Sequence, residues 1–292
     1  MHLDELDVRQ AAMAYVAQRA EAAGGVVTRL ELEAFHYAGE QLKLIDQSRG
    51  IRNPRQLSAA LSILSQPHGP YDDVETEDGL LRYAYRDGSP DSGDNRKLRR
   101  AGEAGLPLIL LRGIEPGVFV PVFPVYVVAD DPVGRYVEIA VDESLRYLAG
   151  RAATDGSRQY AERLTKLRLH QPVFRARVLS AYDRACSICR LKHVDLLDAA
   201  HILADAEGGQ PVVPNGLALC KIHHAAYDRH ILGIRSDYVV EVRPDVLLEV
   251  DGPMLRHGLQ DVQGWTLELP KRRKDRPDRD LLARRYSTFS DR

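Results

Sequence analysis

Residues 186–230, CSICRLKHVDLLDAAHILADAEGGQPVVPNGLALCKIHHAAYDRH, hold every cysteine of the chain and half of its ten histidines. Two half-clusters, Cys186-x-x-Cys189 and Cys220-x-x-His223, flank a stretch that contains His201 and Asn215. Three thiolates and one imidazole at this spacing suit a tetrahedral Zn²⁺. Such an ion would pin the two arms of a module too small to have much core of its own. The competing reading is a set of buried free cysteines with surface histidines. His224 follows at once and Asp228 comes four residues later, so on a helix the two share a face and can bind one cation. VDLLDAAHI reads as a strand carrying His201 near its end, the Gly-Gly and Val-Val-Pro that follow give a loop, and Asn215-Gly216 leads into a helix LALCKIHHAAYDRH.

A divalent ion such as Mg²⁺ or Mn²⁺ on His224 and Asp228 would hold a phosphate oxygen and the leaving 3′ oxygen. The His201 imidazole, opposite, would deprotonate the attacking water. This constellation resembles the HNH endonucleases, the ββα-metal nucleases, over residues 174–235. The resemblance implies that His201 is the general base and that Asn215 fixes the loop and orients the base. It also implies that His224 and Asp228 are the helix metal ligands, and that Cys186, Cys189, Cys220 and His223 hold the structural zinc. The chain departs from the family at Ala200, where many members place a metal ligand just before the base. Asp198 would lie on the same strand face as Ala200 and is the candidate to reach the ion, directly or through water. His193 and His230 receive no role and are expected on the surface.

Length and composition set the frame for the rest. The 292 residues suit about two domains, with 44% apolar and 28% charged residues marking a globular chain. A net charge of −2 gives no whole-molecule argument for nucleic acid, so any basic surface is local. The acidic start MHLDELDVRQ lacks the order of a signal peptide, and no apolar run is long enough for a bilayer. An odd cysteine count at CxxC spacing fits a reducing cytosol, so a cytoplasmic protein without a membrane partner is expected. Neither internal repeats nor low-complexity segments are evident.

Upstream, residues 5–24 read as a helix ending at Gly24-Gly25, and Thr28 with Glu31 forms a capping-box pattern. Residues 57–65 read as a short helix or a strand; period alone does not separate them. LLRYAY alternates as a strand, NRKLRRAGEAG reads as a helix closed by Gly105, and LPLILLRGI and VFVPVFPVYVV read as central strands. With VEIAVDESL as its last strand, this is expected to be a small curved sheet or open barrel. Residues 149–172 read as a helical linker, 237–250 as a hairpin, and the basic tail as a lead into a helix.

Within the first part, Tyr71-Asp72-Asp73-Val74, Asp78-Gly79, Leu81-Arg82-Tyr83 and Asp94-Asn95-Arg96-Lys97-Leu98 resemble the signature of the SRA fold, a PUA-like curved sheet. The resemblance implies a reader that flips a modified cytosine out of duplex DNA. Tyr71 and Tyr83 would sandwich the base, with Tyr85 a rival for Tyr83, and Asp73 or Asp72 would accept from the cytosine N4 amine. The simpler alternative makes the tyrosines core-edge residues and the aspartates turn residues. Arg52, with Arg49 and Asn53, and the tail residues Lys271, Arg272 and Arg273 are candidates for the DNA backbone.

The expected architecture is α+β, with an SRA/PUA-like curved-sheet domain at 1–148, a linker at 149–172 and an HNH ββα-metal domain at 173–292. The expected function is a type IV-like, modification-dependent restriction endonuclease for 5-methylcytosine or a related base in double-stranded DNA. Its cofactors would be a catalytic divalent cation and structural zinc, and its assembly a homodimer. The alternatives are an HNH nuclease reading another mark, such as phosphorothioate, or a reader that binds modified DNA without cutting it.

Overall fold

The structure is a computed structural model that describes residues 4–66, 74–76, 78–146 and 155–291. The chain divides into two compact units, Met1–Val173 and Phe174–Arg292. Among the described residues no helix is long and apolar enough to cross a membrane.

The first unit is mixed α/β, built on a curled half-barrel sheet. Its strands are β1 (Val27–Thr28), β2 (Ile51–Arg52), β3 (Ser62–Ser65), β4 (Val74–Glu75), β5 (Leu81–Ala84), β6 (Leu108–Glu115), β7 (Val118–Asp131) and β8 (Tyr136–Ala140). They lie in the order β2-β3-β6-β7-β8-β5-β4, with β1 also on β7. All pairs are antiparallel except β3 with β6. The 14-residue β7 serves both halves of the sheet: its first part pairs with β6 and β1, its last part with β8. Register shifts between Leu108 and Leu110, Gly113 and Glu115, and Glu138 and Ile139 bend the strands and curl the sheet.

The unbroken apolar run of β6 follows from burial on both faces. Leu108 and Leu110 join Leu98 and Ala101 of α2 (Gly93–Glu103) in one core. Ile109 and Leu111 face the other way, into a core shared with Val8, Ala12 and Val16 of α1 (Glu5–Ala22). The Asp4 side chain caps α1 by accepting from the Leu6 amide at 2.9 Å, and Gly24 and Gly25 end it at φ 72° and 97°. The Thr28/Glu31 capping box forms as expected, with the Glu31 carboxylate accepting from the Thr28 amide at 2.8 Å. The ambiguous stretch 57–65 resolves as β3 over its last four residues.

Of the segment expected as a linker, the described residues, from 155 on, pack within the first unit. Helix α3 (Asp155–Thr165) runs through a π turn, Lys166–His170, and both Ala161 and Leu169 are buried in the core that holds Leu110. The Thr165 hydroxyl donates to the Gly79 carbonyl at 2.7 Å, so apolar contact and a buried hydrogen bond fasten the segment down.

The second unit begins at Phe174, within α4 (Gln171–Ala181), and continues with β9 (Leu197–His201), β10 (Gly216–Cys220) and α5 (Lys221–Asp228). After α5 come β11 (Leu232–Ile234), β12 (Val240–Val242) and α6 (Arg279–Ser290). LALC does not open the helix; it is the second strand of a hairpin, paired from Leu197↔Cys220 to His201↔Gly216, and α5 starts at Lys221. All five residues of β10 are buried, which suits a strand covered on both faces. Residues 237–250 do not form their own hairpin: β12 pairs back to β11, and Pro244–Leu248 is a short helix with proline in its first turn.

Leu110→Ala removes a fully buried side chain from the centre of the first unit and should cost about 2–5 kcal/mol. Urea denaturation of the full chain measures it; a loss below about 1 kcal/mol would mean that this strand is not at the core.

Candidate active site and metal centre

Cys186, Cys189, Cys220 and His223 bring one donor atom each within 4.8 Å of one another. Cys220 ends β10 and caps α5, so His223 stands one turn into the helix and turns back to the same point. The separations are 3.9 Å from Cys189 Sγ to Cys220 Sγ, and 3.4 and 3.2 Å from His223 Nδ1 to the sulfurs of Cys186 and Cys220. A tetrahedron with Zn–S of about 2.3 Å has S···S edges of about 3.8 Å, so the donors already stand at zinc-site spacing. His223 Nε2 lies 2.9 Å from the Gly258 carbonyl, a partner that places the proton there and leaves Nδ1 toward the thiols.

Without an ion the donors hold protons among themselves, and metal binding would displace them. Hydrogen bonds from Cys189 and Cys220 hold the Cys186 thiol far below its usual range, while those same contacts push Cys189 up. Burial works against a charged His223 ring, but the sulfurs of Cys186 and Cys220 outweigh it and raise its pKa to about 9. This donor set fits a soft or borderline divalent ion such as zinc.

The second cluster lies on the hairpin and the helix that follows it. Asp198 on β9 places Oδ2 3.2 Å from His224 Nδ1, and Asp228 places Oδ2 3.3 Å from His224 Nε2. The ring is thus bracketed by two carboxylates on opposite nitrogens. Lys221, one turn before His224, bonds the other Asp198 oxygen at 2.6 Å. Burial raises the Asp198 pKa, but the bonds from Lys221 and His224 prevail and hold it below the ordinary carboxylate range. Ala200 is fully buried and offers no ligand.

His201 is half-buried at the end of β9, its ring stacked on Phe174 with centroids 4.1 Å apart and planes 17° apart. Gly216, its partner across the hairpin, leaves the room this needs, since a Cβ there would sit 3.0 Å from Phe174 and 2.4 Å from Val178. Asn215, only 1% exposed, braces the loop after His201. Its Oδ1 accepts from the Leu203 amide at 2.9 Å, and its Nδ2 donates to the Leu203 and Gln210 carbonyls at 3.0 Å each. Gly209 lets the loop close: a Cβ would stand 1.9 Å from the Leu203 carbonyl oxygen.

Residues 186–235, strand, loop, strand and helix together, match the family model of an HNH endonuclease. The chain carries an HNH endonuclease domain. The matched residues span the strand–strand–helix unit, β9, β10 and α5, and the family's members are metal-dependent nucleases. Among solved structures, the chain is similar to a modification-dependent TagI restriction endonuclease at 19% identity and TM-score 0.31, covering 83% of this chain and 86% of that one. It is also similar to the type IV phosphorothioation-dependent restriction endonuclease ScoMcrA at 15% identity and TM-score 0.23, covering 62% of this chain and 48% of that one. Neither similarity is close enough to carry a substrate across. No curated protein matches the chain in sequence.

Outside the HNH hairpin the candidates fare differently. Tyr71, Asp72 and Asp73 lie outside the described residues. Tyr83 is 6% exposed, with its hydroxyl 3.0 Å from the Gly50 carbonyl, so it is a core residue without an open ring face for a base. Its rival Tyr85 is 2% exposed and bonds Asp130. Arg52 donates to the Lys43 carbonyl at 2.7 Å, and burial lowers its pKa against the pull of Asp46. In the tail, Lys271 pairs with Asp183 at 2.7 Å, and Arg272 and Arg273 are exposed. His193 is exposed as expected, whereas His230 is 7% exposed and belongs to the interior.

Purified protein should contain about one zinc per chain, and Cys220→Ser should lower both zinc content and cleavage. Metal analysis by mass spectrometry checks this; well under one zinc per chain in wild type would remove the structural ion.

Proposed function

We propose that the chain is a modification-dependent restriction endonuclease. Its first unit reads a modified cytosine, 5-methylcytosine or a close relative, flipped from duplex DNA, and its HNH domain cuts the backbone. The bracketing of His224 by Asp198 and Asp228 is the observation that carries the catalytic half. The reader half is supported by the curled sheet together with the SRA-like sequence signature. The base pocket is assigned to Tyr71 and to Asp73 or Asp72, since a carboxylate acceptor separates cytosine from thymine. Tyr83 is released from the sandwich by its burial.

Within the HNH domain the roles follow from the donors. His224 Nε2 and Asp228 would hold a divalent ion, Mg²⁺ or Mn²⁺. When bound, that ion supplies positive charge at the phosphate and at the departing 3′ oxygen. Asp198 accepts from Nδ1–H of His224, which fixes the tautomer, so its role is to orient the ligand rather than to bind the ion. His201, its ring plane set by Phe174, takes the proton from the attacking water. Asn215 keeps the loop after His201 closed and so fixes where that ring stands. One such site breaks one strand, so a double-strand break needs a homodimer or two visits.

Matched plasmids with and without cytosine methylation, incubated with Mg²⁺ or Mn²⁺, test the proposal. Cutting should be confined to the modified DNA and leave 5′-phosphate ends, and His201→Ala should slow it by about 10²–10⁴-fold. Equal cutting of both plasmids would end the reader assignment; undiminished cutting by His201→Ala would end the base assignment.

A further inference from the structure

Asp94, in the first turn of α2, is a carboxylate with only 5% of its side chain exposed. Three donors converge on it. Arg86 reaches one oxygen at 2.8 Å, while Arg49 at 3.4 Å and the Asn53 amide at 2.5 Å reach the other. One guanidinium is enough to neutralise one carboxylate, and the Asn53 donor adds a further hydrogen bond. The second arginine is therefore a surplus of positive charge that burial of Asp94 does not require.

Both arginine heads stay in reach of solvent, at 47% exposure for Arg49 and 48% for Arg86, while their shared anchor does not. The backbone beneath them is fixed with equal care. Asn95, 3% exposed, accepts from the Arg86 amide and donates to the Arg86 carbonyl, both at 2.9 Å. Arg135 donates to that same carbonyl at 3.1 Å and to the Gly88 carbonyl at 3.1 Å. On the other side, the buried Tyr83 hydroxyl holds the Gly50 carbonyl, next to Arg49, and the Arg49 amide is tied to Asp46 at 3.1 Å. Asp46 itself lies 4.0 Å from Arg52, so it does not cancel the surplus.

We propose that Arg49 and Arg86, held by the buried Asp94, form a two-arginine clamp for a DNA backbone phosphate on the first unit. Each guanidinium uses one nitrogen on Asp94 and keeps further N–H donors for a phosphate's oxygens. Holding both side chains in advance removes rotamer entropy that two free arginines would lose on binding. Such a contact positions the duplex and carries no base information, so it acts alike on modified and unmodified DNA. The inference rests on the DNA-nuclease reading and gives the first unit a backbone contact of its own.

The test is fluorescence anisotropy of the full-length protein on matched methylated and unmethylated duplexes, without added divalent ion, across a salt series. Arg49→Gln and Arg86→Gln should each lower the slope of log K against log salt by about 0.9. At about 0.15 M salt that slope change amounts to about fivefold weaker binding relative to 1 M, equal for both duplexes. Arg49→Lys and Arg86→Lys keep the charge and should keep the slope. Wild-type affinity and slope in both Gln variants would overturn the clamp. Should those variants not fold, arginine-selective labelling of wild type decides: DNA should protect Arg49 and Arg86, and unchanged labelling would overturn the clamp. Equal wild-type affinity for the two duplexes would instead sink the reader assignment and leave the clamp standing.

Discussion

Cys220 joins the two halves of the nuclease domain, because it closes β10, caps α5 and supplies a donor to the Cys/His cluster at once. Cys186 and Cys189 come to the same point from before β9, so the cluster ties the lead-in, the hairpin and the helix start together. Successive residues on a helix are turned by about 100°. With His223 directed at the sulfurs, His224 is carried round to Asp198 on the strand. The cluster at the start of α5 therefore also sets which way the His224 and Asp228 face of the helix points.

The first unit solves a different problem. Its central strand β6 is covered on both sides, by α1 on one and α2 on the other, so the sheet itself has no free face there. Function is left to the loops and strand ends that this rigid centre holds in place. Tyr83 illustrates the coupling: its ring fills the core while its hydroxyl holds the Gly50 carbonyl in the loop that bears Arg49. Asn95 does the same from α2, with a buried amide that reaches out to fix the backbone at Arg86.

Much of this was legible in the chain because the signals were local. The Cys-x-x-Cys and Cys-x-x-His spacing, the four-residue step from His224 to Asp228 and the Thr28/Glu31 box each depend on neighbours along one turn or one hairpin. Misreadings arose where tertiary burial decided. LALC carries a helical composition, yet two covering layers make it a strand, and Val240–Val242 takes its partner from upstream rather than from the turn that follows. The SRA resemblance puts Tyr83 in a pocket, but a tyrosine on an alternating strand can face either way, and packing buries this one. Asp94 stands in the SRA-like signature, but nothing local marks it as an anchor, since its partners lie 8, 41 and 45 residues away in sequence.

The two imidazoles on α5 differ chiefly in what stands behind them. His223 is backed by a neutral carbonyl, Gly258, and faces three sulfurs. Three thiolates already exceed the charge of a divalent ion, so a further anion behind the ring would only add repulsion. His224 is backed by the Asp198 carboxylate and shares its front with one carboxylate, Asp228. A divalent charge held there would be met by Asp228 directly and by Asp198 only through the ring, while Lys221 offsets Asp198 from the other side. With such an ion the sum over Asp198, Asp228 and Lys221 would be positive, as an incoming phosphodiester requires. One short helix thus presents two adjacent imidazoles to two different charge environments, set by the partner behind each ring.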